Sequence, residues 1–275
     1  MTPHAVTHGL AGLVLATILA GAIAAEAPAA LVTATQKAGA TVSPRKAGTK
    51  ANPRAISLTL LASFDPAQVK AQIDAGNQFA MTRGEILLPK QGTTNAKRFP
   101  GCAPTRVLSN EKRCPSGSLV GSGTATGVGL NLVEPVTLKV FNRPSGAGVT
   151  VLVVSKPAAP VELRDIVVVT LKKLPSSNPF GWRLTFSMPS TLISPVAGVL
   201  ASVQQLRIAL PAKYLKKNGK YVRSRGKRIP YIATTGCSKG SWNGRFNATY
   251  TTAIPVDPSS TDSSQTVDVR VPCSR

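Results

Sequence analysis

Apolar and small polar residues alternate through Ala55-Ile56-Ser57-Leu58-Thr59-Leu60, the two-residue period of a strand with one buried face. Runs of the same kind recur at 85–88, 119–128, 136–141, 149–154, 166–171, 182–188, 203–210, 229–234, 245–252 and 266–271. Pro135, Pro144, Pro157, Pro175, Pro189, Pro211 and Pro255 fall between these runs or at their ends, where a missing N–H harms a ladder least. Arg183-Leu184-Thr185-Phe186-Ser187-Met188 alternates cleanly and predicts one wet face. Val151-Leu152-Val153-Val154 and Val167-Val168-Val169 are continuous and predict strands covered on both faces. Helical signal is confined to 66–75, with Asp65 as N-cap and Pro66 in the first turn, and to a poorer stretch at 192–203. The expected fold class is mostly β: an antiparallel β-sandwich over 55–275, built as one domain or as two packed β subdomains.

The chain ahead of that region reads differently. Residues 10–25 form an apolar run long enough for a signal peptide and short of a membrane span, and Ala22-Ile23-Ala24 is a small-x-small cleavage signal. A signal-peptide helix over 1–24 is expected, although no Lys or Arg precedes the run, which leaves an uncleaved N-terminal anchor as the alternative. Residues 25–54 contain Lys37, Arg45, Lys46, Lys50 and Arg54 among Ala, Thr, Pro and Gly, and read as a disordered basic linker. The longest later apolar stretch, 188–210, is broken by Pro189 and Pro195, so no transmembrane span is expected after the signal. The chain is expected to be secreted or to reside in the cell envelope.

Four cysteines agree with that compartment. Of three possible pairings, proximity in sequence favours Cys102–Cys114 and Cys237–Cys273. A zinc site would need CxxC spacing or histidines, and no His follows residue 8.

Charge adds the one positive functional hint. With 33 Lys+Arg against 11 Asp+Glu the net charge is +22, which attracts polyanions in a salt-dependent way. The excess is densest in 213–228, where Lys213, Lys216, Lys217, Lys220, Arg223, Arg225, Lys227 and Arg228 stand without an acidic neighbour. Tyr214 and Tyr221 are interleaved, and Asn218-Gly219 predicts a hairpin turn. A basic, tyrosine-bearing hairpin would suit anionic cell-envelope polymers; no specific nucleic acid is indicated. The plainer alternative is a solvated hairpin that aids solubility.

Catalytic chemistry is poorly represented. Both histidines lie in the expected signal peptide, which excludes His-based nucleophile systems, general acid–base work and metal ligation in the mature chain. Glu85, Glu111, Glu134, Glu162, Asp165, Asp257, Asp262 and Asp268 form no distinctive pair. Ser43-Pro44-Arg45-Lys46 and Ser109-Asn110-Glu111-Lys112 match Ser-x-x-Lys, but no Lys-Thr-Gly accompanies them. Residues 121–127 (GSGTATG) lack the spacing of a phosphate loop and read as a strand of small residues packed close to a neighbour. No catalytic residue, metal or cofactor is therefore expected, and the function read here is that of a non-enzymatic envelope protein. A carboxylate-dependent enzyme on envelope glycans and a structural protein-interaction module are the alternatives.

The segment from Cys102 through Cys114-Pro115-Ser116-Gly117-Ser118-Leu119-Val120-Gly121-Ser122-Gly123 resembles a group of uncharacterised secreted proteins of high-GC Gram-positive bacteria. These share a Cys…Cys-Pro-x-Gly-Ser-x-x-Gly-x-Gly core. Leu88-Pro89-Lys90-Gln91-Gly92 and the later Cys237-Ser238-Lys239-Gly240-Ser241-Trp242 extend the likeness over about 85–255. The linker before Ile56 and the density of basic residues after Lys213 depart from it. The resemblance implies export and a β-rich fold and brings no site residues with it.

Overall fold

The computed structural model describes residues 32–130, 132–156, 159, 161–252 and 263–275; the expected signal peptide lies outside them. In chain order the elements are β1 (Gln36–Ser43), β2 (Arg54–Ala55), β3 (Ser57–Phe64), α1 (Pro66–Asp74), β4 (Ala80–Pro89), β5 (Gly92–Thr94), α2 (Pro104–Asn110), β6 (Leu119–Gly129), β7 (Leu132–Asn142) and β8 (Gly148–Ser155). There follow β9 (Arg164–Lys173), β10 (Phe180–Ser187), α3 (Ser190–Ile193), β11 (Ser202–Leu210), β12 (Lys216–Lys217), β13 (Lys220–Tyr221), β14 (Arg223–Ser224), β15 (Lys227–Arg228), β16 (Ile232–Thr234), β17 (Ser241–Thr251) and β18 (Ser263–Pro272). The mostly β, antiparallel class is as the alternation predicts, and every strand run read from the sequence falls on a strand. Asp65 caps α1 by accepting from the Ala67 and Gln68 amides. The stretch at 192–203 yields only the single turn of α3 before the chain turns into β11.

The eleven long strands share one sheet, ordered β1-β3-β11-β6-β7-β8-β9-β10-β4-β17-β18. Its two layers are the two halves of this sheet, because it curls until its edges meet. β1 and β18 lie side by side and run parallel. At one end Gln36 N donates to Gln265 Oε1 (2.7 Å) and Gln265 Nε2 donates to the Ala34 carbonyl (2.8 Å). At the other, Ala47 N donates to the Ser274 carbonyl (2.8 Å), and Ala40 and Val42 pack with Val269 and Val271 between. The result is a closed barrel whose seam is stitched at its ends.

The disordered linker expected over 25–54 is corrected here from Val32 onward. β1 pairs with β3 along its whole length, Gln36 opposite Phe64 and Ser43 opposite Ser57. Its alternation is one of Ala38, Ala40 and Val42 against Lys37, Thr41 and Ser43, and alanine carries too little hydrophobic signal to stand out from a linker.

Two caps close the barrel ends. A small sheet, β2-β16-β5, covers one with Phe99, Ile229 and Tyr231 beneath it. Asn142, fully buried, donates to the carbonyls of Ala96, Phe99 and Pro100 and accepts from the Tyr231 hydroxyl (3.1 Å), tying that cap to β7. At the other end α1 brings Val69 against Phe64, Phe79 and Tyr250, whose rings meet edge to face at 5.3–6.0 Å. On the outside, α2 sets Val107 over Leu152 of β8. That contact explains the continuous apolar run there: Val151 and Val153 face in, and Leu152 is covered from without. Both favoured disulfides form, Cys102–Cys114 closing the α2 segment and Cys237–Cys273 joining the chain before β17 to the chain after β18. Among the described residues no helix is long and apolar enough to cross a membrane.

Candidate functional site: an apolar cavity and a pair of basic hairpins

Inward positions along β1 and β6 are mostly small, and Ala62 continues them on β3 beside the larger Leu58 and Leu60. Ala38, Ala40, Ala62, Ala125 and Gly127 line the interior there, and the larger Val136, Leu138, Val151, Val167 and Leu184 line it on the strands that follow around the sheet. Gly123 belongs to the same inner row and must be glycine, since a Cβ would stand 2.1 Å from the Arg207 carbonyl oxygen and 3.0 Å from Ile208 Cα. The 121–127 segment is thus the close-packed strand of small residues that the sequence predicts, and it leaves space inside the barrel.

That space is a cavity of about 380 Å³, within the range of about 300–1,000 Å³ typical of small-molecule sites. It runs from Ile56, Tyr231 and Ile232 under the small sheet to Leu132, Val196 and Val199 at the far end. Among the described residues the polar members of its lining are Tyr231, the two Trp residues, Thr93, Thr94, Thr234, Glu134 and Arg245, and Arg245 turns its own side chain outward to Asp268. Leu58, Leu60, Leu206, Ile208 and Ile86 face inward yet are only part-buried, because they border this space instead of meeting one another. The outward faces carry Arg183, Glu85, Asn247, Arg245 and Asp268, so the barrel is apolar within and charged without, the reverse of one that spans lipid.

The mouth lies where the β6–β7 turn meets the chain ahead of β11. Leu130, Leu132, Val133 and Val196 are 47, 49, 54 and 43 % exposed, a concentration of bare apolar side chains at one rim. Leu132 and Val196 belong both to this rim and to the cavity lining.

The eight predicted basic residues lie at the opposite end, beyond the far terminus of β11. One hairpin was expected; two occur. β12 pairs with β13 across Asn218-Gly219, and β14 pairs with β15 across Arg225-Gly226. Both turns have positive φ at both central residues (50° and 74°, then 50° and 76°), the type I′ geometry that suits tight hairpins. Only Asn-Gly announces itself in sequence, and Arg225 in the left-handed region does not. Leu215, Val222 and Ile229 root the pair in the core, with Leu215 N donating to the Ile229 carbonyl and Val222 N to the Leu215 carbonyl.

Seven of the eight side chains project as a group: Lys216, Lys217, Lys220, Arg223, Arg225, Lys227 and Arg228 are exposed, and no ion pair among the described residues involves them. Arg228 lies 4.2 Å over the Tyr221 ring and Lys216 4.7 Å over it, while Tyr214 meets Tyr221 edge to face at 6.2 Å. Arg223 also donates to the Gly226 carbonyl of its own turn. Lys213 belongs elsewhere: it is half-buried, donates to the Leu119 carbonyl, and burial pushes its ammonium below the usual lysine range. At the base of the hairpins the Tyr231 amide donates to the Lys213 carbonyl (2.7 Å), and β16 just beyond pairs with β5.

The carboxylates are dispersed. Glu111 binds Arg164 (2.6 Å) and Lys139 (3.0 Å), Glu85 binds Arg183 (2.7 Å) and Asn247, and Asp268 binds Arg245 (2.6 Å). Asp165 accepts from Thr191, and Glu162 is exposed. Asp257 and Asp262 lie outside the described residues. Among the described carboxylates Glu134 alone belongs to the cavity lining. No group of three His, Cys, Asp or Glu able to hold a metal occurs among the described residues. The chain matches no protein-family model, no curated protein and no solved structure.

Proposed function

We propose that this is an exported, non-enzymatic binding protein that holds one long apolar ligand inside its barrel. The observation that carries the reading is the continuous apolar cavity, bordered by part-buried leucines and opening at a bare apolar rim. An eight-stranded barrel already has room for one small ligand, and eleven strands enclose more. Each methylene moved from water into such a lining contributes about 0.8 kcal/mol. A chain of about ten therefore brings about 8 kcal/mol, enough to offset several kcal/mol of association cost without a polar contact. Export is supported by the two disulfides and by the signal segment read from the sequence.

The test is fluorescence titration with 1-N-phenylnaphthylamine, which brightens in apolar surroundings. Saturable binding by the wild type, weakened at least about tenfold in Ala125→Phe, is the expected result; Ala125 lines the cavity, and a ring there occupies ligand space. An unsaturable signal, or one untouched by filling the cavity, sinks the reading.

A second reading concerns the basic hairpins, favoured by seven exposed and unpaired cations on a rooted element. They would hold the protein to anionic envelope polymers with the mouth at the far end. Cosedimentation with purified envelopes should fall as salt rises and fall further when Lys216, Lys217, Lys220 and Lys227 are changed to Glu. Equal sedimentation of both forms would leave the charge as a solubility feature.

A further inference from the structure

We infer that the guest of the barrel is an amphiphile whose head group donates a hydrogen bond, a hydroxyl or an ammonium, and that Glu134 receives it at the mouth. This rests on the cavity reading above and deepens it. Glu134 stands on the inner face of β7, two residues below the rim residue Leu132 and two above Val136. Its Oε2 accepts from the Val161 amide (3.1 Å). Among the described residues its buried Oε1 finds no hydrogen-bond partner and no ion pair reaches this carboxylate. Across the ladder Gly127 offers no side chain to fill the space, a Cβ there standing 3.9 Å from Glu134 Cβ.

A buried acceptor without a donor is unfavourable, so the site is incomplete until a donor arrives. The outer-surface carboxylates of Glu85, Glu111 and Asp165 are engaged by Arg, Lys, Asn or Thr, whereas Glu134 belongs to an apolar lining in which no described residue donates to its Oε1. An ionised carboxylate only accepts, so it selects against an anionic head and favours O–H or N–H. The net charge of +22 works in the opposite sense, drawing anions to the molecule. A preference for donor heads would therefore have to arise at the mouth, and raising the salt should sharpen it.

The experiment displaces 1-N-phenylnaphthylamine from the full-length chain with dodecanol, dodecylamine and dodecanoate, at physiological salt and above. Dodecanol and dodecylamine should displace the probe at about tenfold lower concentration than dodecanoate. Glu134→Gln, whose amide can also donate, should erase that gap while still binding the probe. The wild-type ranking stands without the variant, so misfolding of Glu134→Gln does not blunt the test. Equal displacement by all three heads, or an unchanged ranking in Glu134→Gln, overturns head-group recognition and leaves the apolar cavity intact. Failure of the wild type to bind the probe at all overturns both.

Discussion

Glu111 shows how much a single side chain can do on this surface. Arg164 and then Lys139 hydrogen-bond its carboxylate and hold it at about 2, well below the ordinary 4.5. Because the folded state lowers this value, the stabilisation is fully present above about 4.5 and is lost as pH falls toward about 2. Unfolding midpoints in urea should therefore drop across that window, and Glu111→Gln should flatten the drop. Asn142 is the opposite case, a neutral side chain that matters through satisfaction of buried groups. Asn142→Ala strands the Phe99 and Pro100 carbonyls and the Tyr231 hydroxyl, leaves the Ala96 carbonyl only the Phe99 amide, and should cost about 2–4 kcal/mol in denaturant unfolding. Neither role is legible from sequence. Glu111 is one of several scattered acids until α2 and β9 bring Arg164 to it, and Asn142 reads as a turn residue until Tyr231 arrives from a distant cap.

At the scale of elements, the alternation rule performs well wherever inward positions are large. β7, β10, β11 and β17 follow the runs read from the sequence because large apolar residues at every second position leave a clear period, and β8 and β9 follow theirs because continuous Val and Leu mark a strand covered on both faces. It fails for β1, where the inward residues are alanines. α2 is also absent from the sequence reading, since seven residues between two cysteines give too little helical period to detect. Both disulfides were legible, because proximity along the chain and proximity in space coincide. The loop-entropy relation gives about 3 kcal/mol for the separation of 12 and about 4 kcal/mol for 36. Guanidinium melts of Cys102→Ser/Cys114→Ser and Cys237→Ser/Cys273→Ser double variants should show losses of that size, larger for the second pair.

The whole molecule is a barrel whose apolar lining is not fully packed against itself. A ligand that binds the folded form and not the unfolded chain raises stability by mass action. Dodecanol at about a hundred times its Kd should add about 2.7 kcal/mol and raise Tm by a few degrees, with no such gain in Ala125→Phe. A barrel without a guest site would show the same Tm throughout the titration.

Strand content, cysteine pairing, the basic segment and the poverty of catalytic groups follow from local composition and spacing, because each depends on residues near one another in sequence. Closure, cavity and mouth do not. β1 and β18 meet although Gln36 and Gln265 lie at opposite ends of the described chain. The interior is left open by the small Ala125 and Gly127 on β6 beside the larger Val136 on β7 and Val151 on β8, and the unsatisfied oxygen of Glu134 is set beside it. These are long-range complementarities of volume and hydrogen bonding, decided only when eleven strands close around a common axis.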